Sequence, residues 1–120
     1  MSEDEVTSFI TSSISSIWAL ELLFLLKRDA PGGRRENELV QELRSSPTAV
    51  SDSLRKLRDA SLIAEDSGLL YYRPAGAVLD QLVTEVEKLY AVRPAAVIKT
   101  IVSARHQSLQ AFADSFKLKE

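Results

Sequence analysis

The 120-residue chain has no cysteine and a single histidine, His106. Without thiols there is neither a disulfide framework nor a thiolate metal site, and one imidazole cannot build a metal cluster. No Ser or carboxylate stands in motif spacing to that histidine, and no H-E-x-x-H is present. The Gly32-Gly33 pair lacks the strand, turn and helix context of a phosphate loop. Catalytic, metal and cofactor sites are therefore all expected to be absent, and the chain is not expected to be an enzyme. Long apolar runs are scarce as well. The longest, Ile17 to Leu26, is interrupted by Glu21 and is about half of the roughly 20 residues a membrane span needs, so it reads as a core helix. The start, MSEDEVTSF, is acidic and has no cleavage pattern. A cytoplasmic protein with no membrane partner is expected.

What is present is a hydrophobic content of 45%, enough for a real core in one domain. Net charge is −2, which alone disfavours an electrostatic nucleic-acid binder, but its distribution is uneven. Residues 1–26 carry four acidic groups and no basic one; residues 27–60 carry eight basic against six acidic; residues 61–120 balance at seven and seven. The only positive third is the middle one.

That third holds the most legible stretch. Ser46 can cap a helix that has Pro47 in its first position, where a missing N–H costs nothing. Val50, Leu54, Leu57 and Ser61 then fall on one face, while Thr48, Asp52, Arg55, Lys56 and Asp59 point away from it. LIAED and LLYYR follow as two short strands joined by Ser67-Gly68, a two-residue hairpin turn.

Elsewhere, residues 1–8 read as a flexible acidic end, and from Phe9 a helix is expected to run to Leu26, apolar nearly all round toward its end. Its surplus apolar surface fits either the chain's own C-terminal helices or a second subunit. Lys27 and Arg28 suit a helix C-terminus, Pro31-Gly32-Gly33 breaks the chain, and ENELVQEL is a short helix with no Ser or Thr cap. A long amphipathic helix is expected from Ala77 to Val92. Pro94 opens a new one over Ala95 to Val102, and a last segment from Arg105 repeats Leu109, Phe112, Ala113 and Phe116. Trp18, Tyr71, Tyr72 and Tyr90 could frame an aromatic pocket, but aromatics at such spacing mostly pack, so Trp18 and one tyrosine are expected in the core. His106 is expected to be exposed.

The order of helix, short turn, capped helix and hairpin resembles the winged helix-turn-helix of bacterial transcriptional regulators of the MarR and ArsR type. The residues that carry the likeness are Val50, Ser51, Leu54, Arg55, Lys56, Leu57, Ala60, Ser61, Leu62 and Ile63. Ser61 stands where the family usually has Gly, and Asp52 where a neutral or basic base-reading side chain is common. The resemblance implies a mostly α fold with a small β-hairpin and additional N- and C-terminal helices. Residues 9–92 would form the winged domain and its long helix, and 93–120 a helical extension used in dimerisation.

The function implied is that of a homodimeric regulator whose helix 47–60 enters the major groove of double-stranded DNA at a (pseudo)palindromic operator. Thr48, Ser51 and Asp52 would face base edges, and Arg55 and Lys56 would lie on phosphate or guanine. Arg34, Arg35, Ser46 and Arg73 complete the expected DNA-binding set. A wing tip of Glu65-Asp66-Ser67-Gly68 is a poor partner for phosphate, so a winged-helix module that binds another protein is the competing reading. A third is a regulator gated by a small molecule between its helices.

Overall fold

In a computed structural model the described residues are 1–117, with side chains described as far as Arg105. The element order is α1 (Glu3–Ser13), α2 (Ile17–Asp29), α3 (Glu36–Leu43), α4 (Pro47–Asp59), β1 (Ile63–Asp66), β2 (Leu69–Tyr72), α5 (Ala77–Val92) and α6 (Pro94–Lys117).

The expected first helix is two helices. Ser2 Oγ accepts from Glu5 N at 3.2 Å and opens α1, with Glu3, Asp4 and Glu5 in the first turn, where the helix dipole favours carboxylates. The end read as a flexible acidic tail thus supplies a cap and a first turn. Further along, the hydroxyls of Thr11 and Ser12 bond back to the Ser8 and Phe9 carbonyls, and Ser16 Oγ accepts from Ala19 N at 3.1 Å to start α2. Serines that offer the backbone such alternatives favour a helix end over its interior. The two helices meet at 105°.

Helix α2 is the centre of the molecule, with Ala19, Leu20, Leu22, Leu23 and Leu26 all buried. It packs against α4 and β2, while α1 packs against α5 and α6. The rings of Phe24 and Tyr90 lie 5.8 Å apart between α2 and α5. Its surplus apolar face is therefore covered by this chain's own elements. No single helix among the described residues is long and apolar enough to cross a membrane; α1 and α2 reach that composition only as a bent pair.

Both helices of the central motif end in the same way. After α3, Ser45 N donates to Val40 O at 3.2 Å and Arg44 N to Gln41 O at 3.3 Å, with Arg44 at φ 52°. After α4, Leu62 N donates to Leu57 O at 3.1 Å and Ser61 N to Arg58 O at 2.9 Å, with Ser61 at φ 62°. These paired bonds around a left-handed residue form a Schellman cap, a place for glycine. Ser61 is accordingly exposed and outside the helix, not on its buried stripe; Ser53 takes that place beside Val50, Leu54 and Leu57.

The hairpin pairs Ile63 with Tyr72 and Asp66 with Leu69, and Ser67 (φ 54°) and Gly68 (φ 80°) give the doubly left-handed turn that matches strand twist. A third segment joins it, because Arg34 and Leu70 exchange both backbone bonds, at 3.0 and 2.7 Å. Beside that bridge a Cβ on Gly33 would sit 2.7 Å from the Tyr71 ring, so any larger residue there would force that ring to move.

Helix α5 has the expected bounds. Helix α6 is continuous where two segments were expected, since Pro94 starts it without interrupting any bond. The expectations for the side chains of His106, Leu109, Phe112, Ala113 and Phe116 lie outside the described residues.

Candidate nucleic-acid interface

Helix α4 has two unlike sides. Ser46 Oγ accepts from Ala49 N at 3.1 Å, and Pro47 occupies the first turn, so the helix begins where the sequence expects. Val50, Leu54 and Leu57 anchor it against α2. On the far side Thr48, Ser51, Asp52, Arg55 and Lys56 are all exposed. Arg55 Nη2 lies 3.2 Å from Asp52 Oδ1, one turn back, with both side chains about 60% exposed. The carboxylate that would oppose a phosphate is thus already matched by a cation. An exposed pair of this kind contributes little to stability and opens easily.

The other expected residues are spread around this helix. Arg35 precedes α3 and donates its backbone N–H to Glu38 Oε1 at 3.4 Å, half of a capping box; arginine has no acceptor for the other half. Its Nη1 lies 3.6 Å from where a Cβ on Gly68 would be, which brings it to the hairpin turn. Arg34 is drawn elsewhere. Its Nε is 2.7 Å from Asp29 Oδ2, an ion pair across the loop after α2, and its backbone is held in the sheet. Arg73 is exposed at the far end of β2, with its N–H bound to Leu62 O at 3.0 Å.

Sequence reasoning passed over Arg44. It is exposed in the turn between α3 and α4, two residues before the cap, and has no carboxylate partner among the described residues. Its left-handed backbone was the available signal only in part: a charged residue where the turn calls for glycine.

The hairpin is built differently. Glu65 pairs with Arg58 of α4 at 3.0 Å, and Asp66 is exposed beside Ser67. At its base, Tyr72 donates to Asp80 of α5 at 2.6 Å. Lys27 contacts Glu87 and Thr84 of α5 and lies 5.9 Å from the centre of the Tyr72 ring. Burial, together with the Asp80 carboxylate, pushes the Tyr72 hydroxyl well above the usual tyrosine range. The four aromatics do not form one pocket: Tyr71 covers Gly33, Tyr90 meets Phe24, Tyr72 joins α5, and Trp18, expected in the core, is 41% exposed.

Two helices crossing through a tight turn, the second with a free polar face, followed by a hairpin that recruits a third short strand, define a winged helix-turn-helix. Residues 19–65 match the family model described as bacterial regulatory protein, arsR family. The matched stretch, from α2 to β1, together with the hairpin, fits a winged helix-turn-helix regulator of the ArsR/MarR type. A comparison with curated proteins finds none that matches.

Proposed function

We propose that α4 reads a duplex operator through the major groove, and that two copies of the chain bind the two halves of a (pseudo)palindromic site. The observation that carries this is the outer face of α4. Thr48, Ser51, Asp52 and Arg55 are exposed, as a helix entering a groove about 12 Å wide requires. Ser51 and Arg55 are the residues assigned to base edges. Lys56, Arg44 and Arg35 are assigned to phosphates, which fix the register without reading sequence. Keeping a cation at the strained Arg44 position has a reason if it holds the backbone beside the helix start. Ser46 acts through its cap, Arg73 is a peripheral phosphate contact, and Arg34 contributes little while Asp29 holds it. Exposed Val92, Ile98 and Val102 at the α5 and α6 end support a self-association surface. Two-fold pairing would place half-sites about one helical turn apart.

The acidic hairpin favours a second reading, a module that binds a protein. Selection from a random duplex library, followed by titration at several salt concentrations, separates the two. A DNA reader enriches an inverted repeat, and its log K falls linearly with log salt. Weak binding that is the same for every duplex sinks the DNA reading in favour of the protein-binding one.

A further inference from the structure

Helix α4 carries a second arginine in line with its outward residues. Ser51, Arg55 and Arg58 are spaced by four and then three, so they lie one above another on a single side of the helix, and all three are exposed. Arg58 stands in the last turn, where α4 meets β1. Its Nη1 donates to Glu65 Oε1 at 3.0 Å, with the two side chains 43% and 47% exposed. The placement of Glu65 follows from the period of the strand. Ile63 and Glu65 share one side of β1, and Ile63 is buried, so that side is turned to the helices. Asp66, one residue further, accepts from the hydroxyl of Ser67 at 3.2 Å. Two neighbouring carboxylates therefore have different partners: Glu65 a cation of α4, Asp66 a hydroxyl of its own turn.

We propose that Glu65 stands in for a DNA phosphate: its carboxylate occupies Arg58 in the free protein and withholds that guanidinium from the backbone of a bound duplex. The inference rests on the reading of α4 as the duplex-facing helix and adds to it a restraint on affinity. A carboxylate and a phosphate offer a guanidinium the same paired oxygens, so the two compete for Arg58. Arg58 lies at the far end of α4 from Thr48 and Ser51, and it is the N-terminal residues of such a helix that reach base edges. Its partner on DNA is accordingly a phosphate, which every sequence offers. The pair is exposed and weak, so it does not block binding; it removes one backbone contact from selected and unrelated duplexes alike.

Fluorescence anisotropy at several salt concentrations compares the parent chain with Glu65→Gln, Arg58→Gln, the double variant and Asp66→Asn, on the selected duplex and on an unrelated one. Thermal melts verify that each variant folds. Glu65→Gln is expected to bind both duplexes about three- to tenfold tighter, and its log K to fall with log salt more steeply by about one unit of slope, as one more cation reaches phosphate. Arg58→Gln should weaken the parent less than about twofold, but return Glu65→Gln close to the parent's affinity and slope. Asp66→Asn removes the same charge from the same turn and should change binding less than about twofold. An equal gain from Asp66→Asn overturns the proposal, since net charge alone would then act, and so does a gain that survives Arg58→Gln. Parent binding with no gain in Glu65→Gln refutes the role of the pair and leaves the DNA reading intact. Absence of duplex binding by both chains refutes that reading as well, so the two failures are told apart.

Discussion

Helix α4 and the hairpin are the two parts of this fold that could reach a duplex, and they are charged in opposite ways. The helix presents hydroxyls, the Asp52 and Arg55 pair, and Lys56, which has no carboxylate partner among the described residues; the hairpin presents Glu65 and Asp66 and draws Arg58 toward itself. A phosphate approaching α4 meets cations within reach, while one approaching the turn meets carboxylates, with Arg35 and the Glu65-paired Arg58 nearby. The contrast teaches that one shape can divide its labour. The helix is suited to recognition, whereas the hairpin closes the core over Leu70 and is fastened to α5 through Tyr72.

The contrast is sharpened first on the two sides of α4 itself. Leu54→Ala leaves a cavity under the helix and should cost about 2–5 kcal/mol of stability, whereas Ser51→Ala should stay within about 0.5 kcal/mol. Urea unfolding of both variants measures the difference. Equal effects would mean that the helix is not anchored as described.

Next comes affinity. Arg55→Ala should weaken duplex binding by about 1–3 kcal/mol if it reads a base, while Asp66→Asn in the hairpin should leave it the same or slightly stronger. Fluorescence anisotropy at fixed salt compares them, and a larger loss at Asp66 would reverse the assignment of the two regions.

Smaller still is the effect at the junction between them. Ser61 adopts a left-handed backbone that disfavours any side chain. Ser61→Gly should therefore raise stability by about 0.5–1 kcal/mol, with DNA affinity unchanged. A melting temperature that falls would show that the Ser61 side chain contributes something of its own.

The fastening of the hairpin has a pH signature. Because the folded state holds the Tyr72 proton more tightly than the unfolded chain, its contribution is fully present below the ordinary tyrosine value of 10.0 and is lost as pH rises above that value. Stability of the parent chain should fall more steeply there than that of Tyr72→Phe. Parallel curves would remove Tyr72 as the cause.

What could be read from sequence was what neighbouring residues decide. Ser46 and Pro47 set the start of α4, Ser67-Gly68 set the turn, and the 3.6-residue period separated Thr48, Ser51 and Arg55 from Val50 and Leu54. The break between α1 and α2 was hidden because the apolar spacing continues across it, and serines that act as caps look the same as serines on a wet face. The Arg34 bridge to Leu70 joins residues far apart in the chain, and the diversion of Arg34 depends on where the loop returns Asp29. Arg44 was missed because its left-handed turn, unlike Gly68, carries no glycine to announce it.

Since the chain has no cysteine, a single thiol can be placed on either region and followed by alkylation. Adding the selected duplex should protect the thiol of Ser51→Cys strongly and leave that of Asp66→Cys as reactive as in the free protein. Protection at Asp66→Cys with none at Ser51→Cys would contradict the account, because the duplex would then lie on the hairpin and not on α4.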